Sequence, residues 1–537
     1  MAAQEAANDP VSAIKAGYTF DGPTIDVGAL LQDGEPLPEA RIALPLGMMN
    51  RHGLVAGATG TGKTRTLQGL AEQLSAAGVP VFLADMKGDL SGIAVPGTGS
   101  EKLLSRTKAL GQDWRPTGFP VEFLCLGGQG DGVPVRATPT AFGPTLLAKV
   151  LGLNPTQTSS LELIFRWADE RGLHLLDLKD VRAVVAHLTD GEGKAELKTL
   201  GGVSAATAGV ILRELSGLEA RGGDVFFGEP GFDVSELVRT APDGRGVITA
   251  FELPAVQEQP ELFSTFLMWL LAELFQALPE VGDVDKPKLV FFFDEAHLLF
   301  DGAPKAFLES VTKTVRLIRS KGVGVFFVTQ TPKDVPGDVL GQLANRIQHA
   351  LRAFTPDDAK ALKATATTFP KSPYDLTELL TSLGTGEAVV TVMSEEGAPT
   401  PVAPTRLFAP QAAMGPMDAA ALHAAAAASP LMARYGQAVD ADSAYEMLQR
   451  AEGERQAQAT ADANAAAEAK AAAEQAKRAK QDKKEHTATK IAEAGSRHAP
   501  AEKSPLEAIL GGKTVQNMAS SFGKEIARSL FGTRRRR

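Results

Sequence analysis

Hydrophobic residues along the chain fall into short continuous runs that alternate with stretches of helical spacing. Continuous runs, rather than alternating apolar and polar positions, are typical of strands buried on both faces of a parallel sheet. The stretch TRTLQGLAEQLSAAG has helical periodicity and ends at Gly78, a residue that favours a helix C-terminus. This alternation predicts an α/β fold with a doubly wound, mostly parallel sheet. The runs interpreted as strands are VPVFLAD, FPVEFLCLG, GVITAFEL, KLVFFFDE, GVGVFFVTQ, HALRAF and GEAVVTVM.

Changes in this pattern divide the chain into regions. We interpret residues 1–40 as a loop-rich N-terminal lead-in and residues 41–138 and 236–410 as the α/β core. Helical patterns dominate residues 139–235, which indicates a helical insertion within the core. Residues 411–450 are Ala-rich and predict short helices.

The last region, residues 451–537, is a tail rich in Ala, Lys and Glu. Residues 451–492 have helix propensity but no apolar stripe, so we expect a solvated single helix or partial disorder and no coiled coil. The tail ends in a basic C-terminus, Arg534 to Arg537, that could bind nucleic acid or an acidic membrane surface.

Composition narrows the class of protein. A net charge of −9 argues against a broadly basic surface. It does not exclude a ring-shaped DNA motor, because such a ring can place Lys and Arg only along its pore. The single cysteine, Cys125, excludes an intrachain disulfide and a Cys-based metal site, which suits a reducing compartment. The longest apolar run, Leu262 to Leu278, contains Glu273 and predicts a buried helix and no transmembrane segment. With no signal peptide at the N-terminus, we expect a cytoplasmic protein.

A complete Walker A pattern, GATGTGKT, lies between the apolar stretch HGLVA and the predicted helix. Glycines let the backbone curl with its N–H groups inward, and the following helix adds its positive end, so the loop can bind phosphate. Lys63 would reach the β- and γ-phosphates of ATP, and the Thr64 hydroxyl would bind Mg²⁺. The predicted nucleotide-binding residues of the loop are Thr59, Gly60, Thr61, Gly62, Lys63 and Thr64.

A second motif for nucleotide binding and hydrolysis is the apolar run LVFFF, which is followed directly by two carboxylates. This is the Walker B form, in which Asp294 would hold Mg²⁺ through water and Glu295 would polarise the attacking water. The alternative is that the two acids only cap a helix, and it is less favoured because the chain also has a complete Walker A motif.

Two further strand ends carry polar residues. The run GVGVFFVTQ ends at Gln330, which we assign as a sensor of the γ-phosphate, with Thr329 in reserve and a turn at Pro332 as the alternative. Asp85 ends VPVFLAD, at the edge of the sheet where ligands collect, so it is a candidate for nucleotide binding, although turn formation explains it equally well.

Basic residues are candidates for two other roles. Arg346 precedes the run HALRAF and Arg352 lies within it, and either is a candidate arginine finger for a neighbouring subunit's γ-phosphate, with surface ion pairing as the alternative. A basic helix after the Walker B strand offers phosphate contacts to DNA, although a solvated helix face explains it equally well. Its members are Lys305, Lys313, Arg316, Arg319 and Lys321.

Together, GATGTGKT, DMKGDLSG, FFFDEAHLLF, GVGVFFVTQTPKDVPGDVLGQLANRIQHALRAFTP and GTGEAVVTVM resemble the HerA-like helicases of the HerA/FtsK group. More closely, the chain is similar to the bacterial branch of HerA-like C-terminal-domain proteins, over roughly residues 15–410. The letters DEAH at the Walker B site also spell the box of another helicase superfamily, but the helical insertion and the later strands favour HerA/FtsK. We therefore expect His297 to begin a helix.

The resemblance implies a RecA-like P-loop core, a hexameric ring, and ATP-driven movement along double-stranded DNA without sequence specificity. It assigns phosphate and metal binding to Lys63 and Thr64, and catalysis with magnesium to Asp294 and Glu295. HerA has an N-terminal β-barrel that helps a nuclease partner to dock, whereas only about 50 residues precede the P-loop here, so the sequence leaves open whether a nuclease or another protein is the partner. The alternatives are a P-loop ATPase that remodels or transports protein, and an assembly module whose nucleotide site only switches shape.

Overall fold

The computed structural model describes most of the chain and divides it into two compact units, Met1–Ala451 and Glu452–Arg537. No helix within the described part is long and apolar enough to cross a membrane. The described residues are 10–189, 193–199, 201–256, 260–282, 284–300 and 305–494.

One sheet of twelve strands organises the first unit, in the order β2-β1-β12-β11-β10-β3-β9-β8-β4-β7-β5-β6. The strands are β1 Thr24–Gln32, β2 Glu35–Pro45, β3 Gly53–Ala56, β4 Val81–Asp85, β5 Val121–Leu126, β6 Val133–Val135, β7 Ile248–Glu252, β8 Leu289–Phe293, β9 Val323–Thr329, β10 Asn345–His349, β11 Glu387–Thr391 and β12 Ala403–Leu407.

The eight strands from β10 to β6 pair in parallel, as the continuous apolar runs predict. All residues of β4, β7, β8 and β9 are buried, because helices cover both faces of this part of the sheet. The predicted α/β fold with a mostly parallel sheet is therefore confirmed. The strand that precedes the P-loop, β3, lies between β10 and β9, and β9 separates it from the Walker B strand β8.

The other four strands form an antiparallel edge, β2-β1-β12-β11, beside β10. The interpretation of residues 1–40 as loop-rich is wrong for this part, because residues 24–45 form a hairpin that turns at Asp33 and Gly34. Ala29, Leu30 and Ile42 within it are fully buried. The sequence signal of this hairpin is weak, because the run IDVGALL is short and β2 begins with the polar, proline-containing stretch EPLPEA.

Nineteen α-helices occur in the described ranges. They are α1 Pro10–Gly17, α2 Lys63–Ala76, α3 Glu101–Ala109, α4 Pro139–Phe142, α5 Pro144–Val150, α6 Pro155–Glu170, α7 Leu178–Thr189, α8 Gly193–Thr199, α9 Ala205–Ala220, α10 Gly223–Phe226, α11 Pro260–Ala277, α12 His297–Phe300, α13 Lys305–Ile318, α14 Gly337–Leu340, α15 Pro356–Ala366, α16 Leu376–Ser382, α17 Ala419–Ala427, α18 Met432–Tyr435 and α19 Ala444–Ala494. Short 3-10 turns connect several of them, at Leu46–Arg51, Ser91–Ala94, Val234–Val238, Pro254–Val256, Arg319–Lys321 and Pro332–Asp334.

The helices α4 to α10 fall within the region interpreted as an insertion, and they share one apolar core with the sheet. Trp167 of α6 and Trp269 of α11 are among the largest fully buried side chains of that core. The apolar run expected to be a buried helix is α11, whose Phe266 ring stacks on Phe251 of β7 at 4.4 Å between centroids. The insertion is therefore packed onto the core rather than appended to it.

The second unit contains most of the long helix α19, whose described side chains are exposed from residue 452 onward. Uniform exposure fits a composition without an apolar stripe. The C-terminal arginines Arg534 to Arg537 lie outside the described residues.

Candidate functional site

The Walker A loop joins β3 to α2 and is fixed at both ends by backbone hydrogen bonds. The amide of Gly57 donates to Thr329 O at 3.2 Å, and the amide of Ala58 donates to Ala350 O at 2.8 Å. These bonds tie the loop to the ends of the two neighbouring strands, β9 and β10. Gly62 precedes α2 with φ of 109°, a left-handed conformation that glycine adopts without strain.

The tip of the loop, just before α2, is open to solvent. Thr59 and Gly60 are exposed at its tip, and within the described chain no side chain caps the helix at Gly62. The amides of a helix's first turn have no partner within the helix, so this terminus is suited to bind an anion such as phosphate. Lys63 is 9% exposed, and its ammonium donates to the loop carbonyl of Ala58 at 3.3 Å.

A buried histidine braces the loop from behind. His349, at the end of β10, is fully buried, with Nδ1 3.1 Å from Thr61 O and Nε2 2.9 Å from Thr66 Oγ1. A carbonyl can only accept, so Nδ1 carries the proton and Nε2 accepts from the threonine hydroxyl. Burial, with the charge of Lys63 adding to it, lowers the pKa of His349 to about 3, so the ring is neutral.

The Walker B carboxylates lie close enough to the ammonium of Lys63 for their charges to act on it. Burial lowers the pKa of Lys63, and the charges of Glu295 and Asp294 oppose that effect. The strand order explains this proximity. Only β9 lies between β3 and β8, and the carboxyl ends of these three parallel strands lie at the same edge of the sheet. Residues 231 positions apart in the chain are thereby brought together.

Asp294 fits a magnesium ligand. Its Oδ1 accepts the Glu295 amide at 2.9 Å, while its buried Oδ2 has no hydrogen-bond partner in the described chain. Burial raises the pKa of Asp294 to about 7, and the nearby charges of Glu295, Asp89 and Asp85 add to the rise. The described residues contain no group of three or more His, Cys, Asp or Glu side chains that could hold a metal by themselves. Magnesium typically takes one or two protein ligands together with substrate phosphates, so this donor set is appropriate.

Glu295 is held in an uncommon conformation between two basic side chains. Its φ is 48°, which is rare for a residue with a side chain. Its Oε1 pairs with the ammonium of Lys87, and its Oε2 lies 3.2 Å from His297 Nδ1. Burial acts to raise the pKa of Glu295, but the hydrogen bond and charge of Lys87 outweigh it and lower the pKa. Glu295 is therefore ionised and able to accept a proton.

Lys87 was not among the residues proposed from the sequence. It follows β4, and β4 neighbours β8, so the loop after β4 faces the Walker B carboxylates. Its side chain is 49% exposed, whereas that of Glu295 is 8% exposed, so the ammonium reaches the carboxylate from the solvent side. A lysine in the motif DMKGD was visible in the sequence, but only the strand order identifies its partner.

Asp85, proposed for nucleotide binding, is occupied by the backbone of its own loop. Its Oδ1 accepts the amides of Lys87, Gly88 and Asp89, and its Oδ2 accepts that of Leu90 at 2.8 Å. With no exposed surface and four donors around it, the carboxylate shapes the turn that carries Lys87. These contacts support the turn-forming role of Asp85, the alternative to the predicted contact with nucleotide.

The two candidate sensors at the end of β9 differ in their exposure. Thr329 is fully buried and its hydroxyl donates to Asp334 Oδ2 at 2.8 Å. Gln330, the next residue, is exposed at the edge of the sheet between the Walker A and Walker B strands. Of the two, Gln330 is the side chain available to a ligand.

The two candidate finger arginines lie in different settings. The strand predicted at HALRAF in fact spans Asn345–His349, so Arg346 belongs to β10 and Arg352 follows it. Arg346 is half-buried and donates to Leu343 O and Thr368 O, whereas Arg352 is exposed and donates to Thr381 O at 3.1 Å. Neither arginine is brought to the pocket of its own chain.

The predicted basic helix is α13 with the 3-10 turn that follows it. Lys305, Lys313 and Arg316 are exposed, and Lys305 pairs with Glu309 at 3.7 Å. The ammonium of Lys321 lies 5.0 Å from the centre of the Phe275 ring. Only part of this helix is therefore available for phosphate contacts.

Comparison with known proteins gives a family and distant structural relatives. The family model described as Helicase HerA-like C-terminal matches residues 31–537. No curated protein sequence matches the chain.

Three solved structures illustrate the structural likeness. The bacterial conjugative coupling protein TrwBdeltaN70, unbound, is 16% identical with a TM-score of 0.48 over 76% of this chain and 94% of that one. VirB4 of Thermoanaerobacter pseudethanolicus is 17% identical with a TM-score of 0.44 over 72% and 97%. The genome packaging NTPase B204 from Sulfolobus turreted icosahedral virus 2, in complex with AMP, is 9% identical with a TM-score of 0.27 over 66% and 96%. These likenesses are too distant to say what this chain does.

The family match covers nearly the whole chain, including the P-loop, the Walker B strand and the segments that carried the resemblance in the sequence. The order of β3, β9 and β8 and the shared pocket at their carboxyl ends agree with it. The chain belongs to the HerA-like helicase C-terminal family.

Proposed function

We propose that this chain is an ATP-hydrolysing motor that requires Mg²⁺. The observation that carries the proposal is that the Lys63 ammonium, at the start of α2, lies close enough to two carboxylates, Asp294 and Glu295, for their charges to act on it. The ammonium and the helix terminus suit a chain of phosphates, and the two carboxylates suit a metal ion and a water molecule. A site that only bound nucleotide would have no need of an ionised, buried Glu295.

The residues divide the chemistry among them. The loop amides and Lys63 would bind the β- and γ-phosphates, and Glu295 would accept a proton from the attacking water while Lys87 keeps its carboxylate in place. Thr64 and Asp294 would hold Mg²⁺, which when bound neutralises charge that develops on the phosphate oxygens. Gln330, exposed between the two motifs, would sense the γ-phosphate.

Two variants separate binding from hydrolysis. We expect Lys63→Ala to lose both ATP affinity and turnover, because the phosphate charge is no longer neutralised. Glu295→Gln keeps the shape of the side chain, so we expect it to bind ATP normally but to turn over at least about a hundredfold more slowly. Binding by calorimetry and phosphate release would measure the two effects. Native turnover by Lys63→Ala would contradict the site.

We propose double-stranded DNA as the track of this motor and a homo-oligomeric, hexameric ring as its form. Family membership supports both, and the exposed Lys313 and Arg316 of α13 offer phosphate contacts without base reading. In such a ring Arg352 is the better candidate for the finger, because it is exposed and donates to one backbone carbonyl, whereas Arg346 is half-buried and donates to two.

Stimulation of the ATPase by duplex DNA tests the track. We expect stimulation that is independent of sequence and weakens with salt, and a mass in solution that rises to a ring with ATP and Mg²⁺. Reversing the charges of Lys313 and Arg316 should reduce stimulation, whereas the control Lys305→Glu, at a lysine already paired with Glu309, should change it little. Turnover that ignores DNA of every length would favour the alternative, a motor that remodels or transports protein.

A further inference from the structure

The charged residues of α19 are segregated by sign around the helix between residues 468 and 485. An α-helix turns by about 100° per residue, so five lysines of this segment fall within an arc of about 140°. We call them the lysine stripe: Lys470, Lys477, Lys480, Lys483 and Lys484. Four acids fall on the opposite side of the helix, together with Arg478. They are Glu468, Glu474, Asp482 and Glu485.

The lysine stripe is open to solvent. All five side chains are exposed. The ion pairs that α19 forms among the described residues lie near its start, up to Arg455, and none of them includes a lysine of the stripe. The stripe is therefore a positively charged surface whose ammonium groups are available to a ligand.

The spacing of the lysines is unfavourable for a helix that is only solvated. Such a helix is stabilised by opposite charges three or four residues apart, and like charges at these spacings destabilise it. The acidic side follows the rule, since Glu474 lies four residues before Arg478. The stripe breaks it, because Lys480 has a lysine three residues before it and lysines three and four residues after it. A polyanion that covers the stripe would relieve this repulsion.

We propose that the lysine stripe binds the phosphate backbone of double-stranded DNA. The choice of DNA rests on the proposed function, and the stripe adds a binding surface in the second unit, which holds none of the nucleotide-site residues. The stripe extends over about 21 Å of helix. One DNA strand presents a phosphate about every 3.4 Å along its axis, so about six phosphates lie alongside the five lysines. The acids on the other side of α19 face away from the DNA.

The residues between the lysines favour DNA over a membrane surface. Amphipathic helices that bind membranes bury bulky apolar side chains such as Leu, Phe or Trp. In residues 468–488 of α19 the apolar residues are all alanine, so this helix has nothing to insert among lipids. Lysines that contact phosphates do not read base edges, and the binding is therefore independent of DNA sequence.

Binding of a fluorescent, random-sequence duplex to the full-length protein over a series of NaCl concentrations tests the stripe. The variant replaces all five lysines by glutamine, which has a similar helix propensity. We expect it to bind the duplex at least about tenfold more weakly, and the slope of log Kd against log salt to fall by about 4, since each phosphate contact contributes about 0.9. Its ATP hydrolysis without DNA should equal the native rate, which shows that the first unit is folded.

Lys477 and Arg478 provide a matched control. They are neighbours in the chain with the same charge, but Lys477 belongs to the stripe and Arg478 lies among the acids. Lys477→Gln should lower the salt slope by about 1, whereas Arg478→Gln should leave it unchanged. Equal effects of the two substitutions would overturn the stripe, because binding would then depend on net charge alone.

Two further readouts separate this proposal from the proposed function. Duplex-stimulated turnover of the native protein, with unchanged duplex Kd and salt slope in the five-lysine variant, would overturn the stripe and leave DNA as the track. Duplex binding that weakens in the variant, without stimulation of turnover in the native protein, would support the stripe and contradict the track. Binding to phosphatidylserine vesicles that needs the five lysines, with an unchanged duplex Kd in the variant, would overturn the proposal in favour of a membrane surface.

Discussion

At the residue scale, the site depends on side chains that hold other side chains in place. Glu295 has a left-handed backbone and a carboxylate that is 8% exposed, and such a group needs a counter-charge to remain ionised. Lys87 supplies it from the loop that Asp85 shapes. Behind the phosphate loop, His349 performs a comparable task without charge. These holding residues are as specific to the fold as the motif residues they support.

Lys87 should matter for turnover more than for ATP binding. We expect Lys87→Ala to lower kcat at least about tenfold with little change in KM, because a displaced carboxylate no longer aligns the attacking water. Lys87→Arg, which retains the charge, should recover much of the loss. Steady-state phosphate release would measure both variants. A fall in ATP affinity with unchanged kcat would instead place Lys87 on the phosphates.

His349 should make stability depend on pH in a defined direction. Its pKa is lowered from 6.5 to about 3 in the folded chain, so below pH 6.5 the unfolded chain binds a proton that the folded chain does not. Stability from this residue is therefore complete above pH 6.5 and is lost as the pH falls toward 3. At pH 5 the loss is about 2 kcal/mol.

Denaturant unfolding of native protein and His349→Gln at pH 7.5 and pH 5 measures this contribution. The native protein should lose more stability between these pH values than the variant does. The buried His52, whose pKa is lowered to about 4, is common to both proteins and cancels in the difference. Parallel pH profiles would contradict the assignment.

At the element scale, close strand contacts position the P-loop. A Cβ at Gly53 in β3 would overlap the Phe326 ring of β9, so the two strands lie at a separation that only glycine permits. The parallel pairing of Gly53 with Phe326 sets the register between the strand before the P-loop and the strand before Gln330. An error in this register would displace both ends of the pocket.

Gly53→Ala should therefore destabilise the first unit by about 1 to 3 kcal/mol, through overpacking between β3 and β9. Gly415→Ala is the matched control, because Gly415 also belongs to the first unit and nothing lies near its added Cβ. Chemical unfolding of both variants gives the comparison. Equal stability of Gly53→Ala and native protein would show that the ring moves aside at no cost.

At the scale of the whole molecule, the boundary between the two units falls within α19. The start of this helix belongs to the first unit, where Asp180 of α7 accepts the Ser443 hydroxyl at 2.5 Å and the Tyr445 amide at 2.9 Å. Ala444 beside them is fully buried. The helical insertion therefore anchors the first turn of α19.

Truncation on either side of this anchor should have different effects. A chain ending at Ala451 keeps the anchor, and we expect its Tm to match that of the full chain within about 2 °C. A chain ending at Gly436 leaves the buried Asp180 without two of its donors, and its Tm should fall by several degrees. Thermal unfolding of both would decide. A large loss on removing residues 452–537 alone would contradict the division into units.

The sequence alone determined those features of the fold and the site that depend on residues close together in the chain. Continuous apolar runs identified β4, β5, β7, β8 and β9, and the Walker A and Walker B motifs identified the phosphate loop and the carboxylate pair. Each is a local signal, since backbone conformation and burial follow from a few consecutive side chains. The same reasoning failed for the hairpin at residues 24–45, whose second strand begins with a polar, proline-containing stretch, and it misplaced β10 by several residues.

The tertiary structure decided which distant residues meet. Lys87 pairs with Glu295 because β4 neighbours β8, and His349 supports Thr61 because β10 neighbours β3. The physical reason is that strand order is set by packing of the whole sheet, whereas a motif records only the conformation of its own segment.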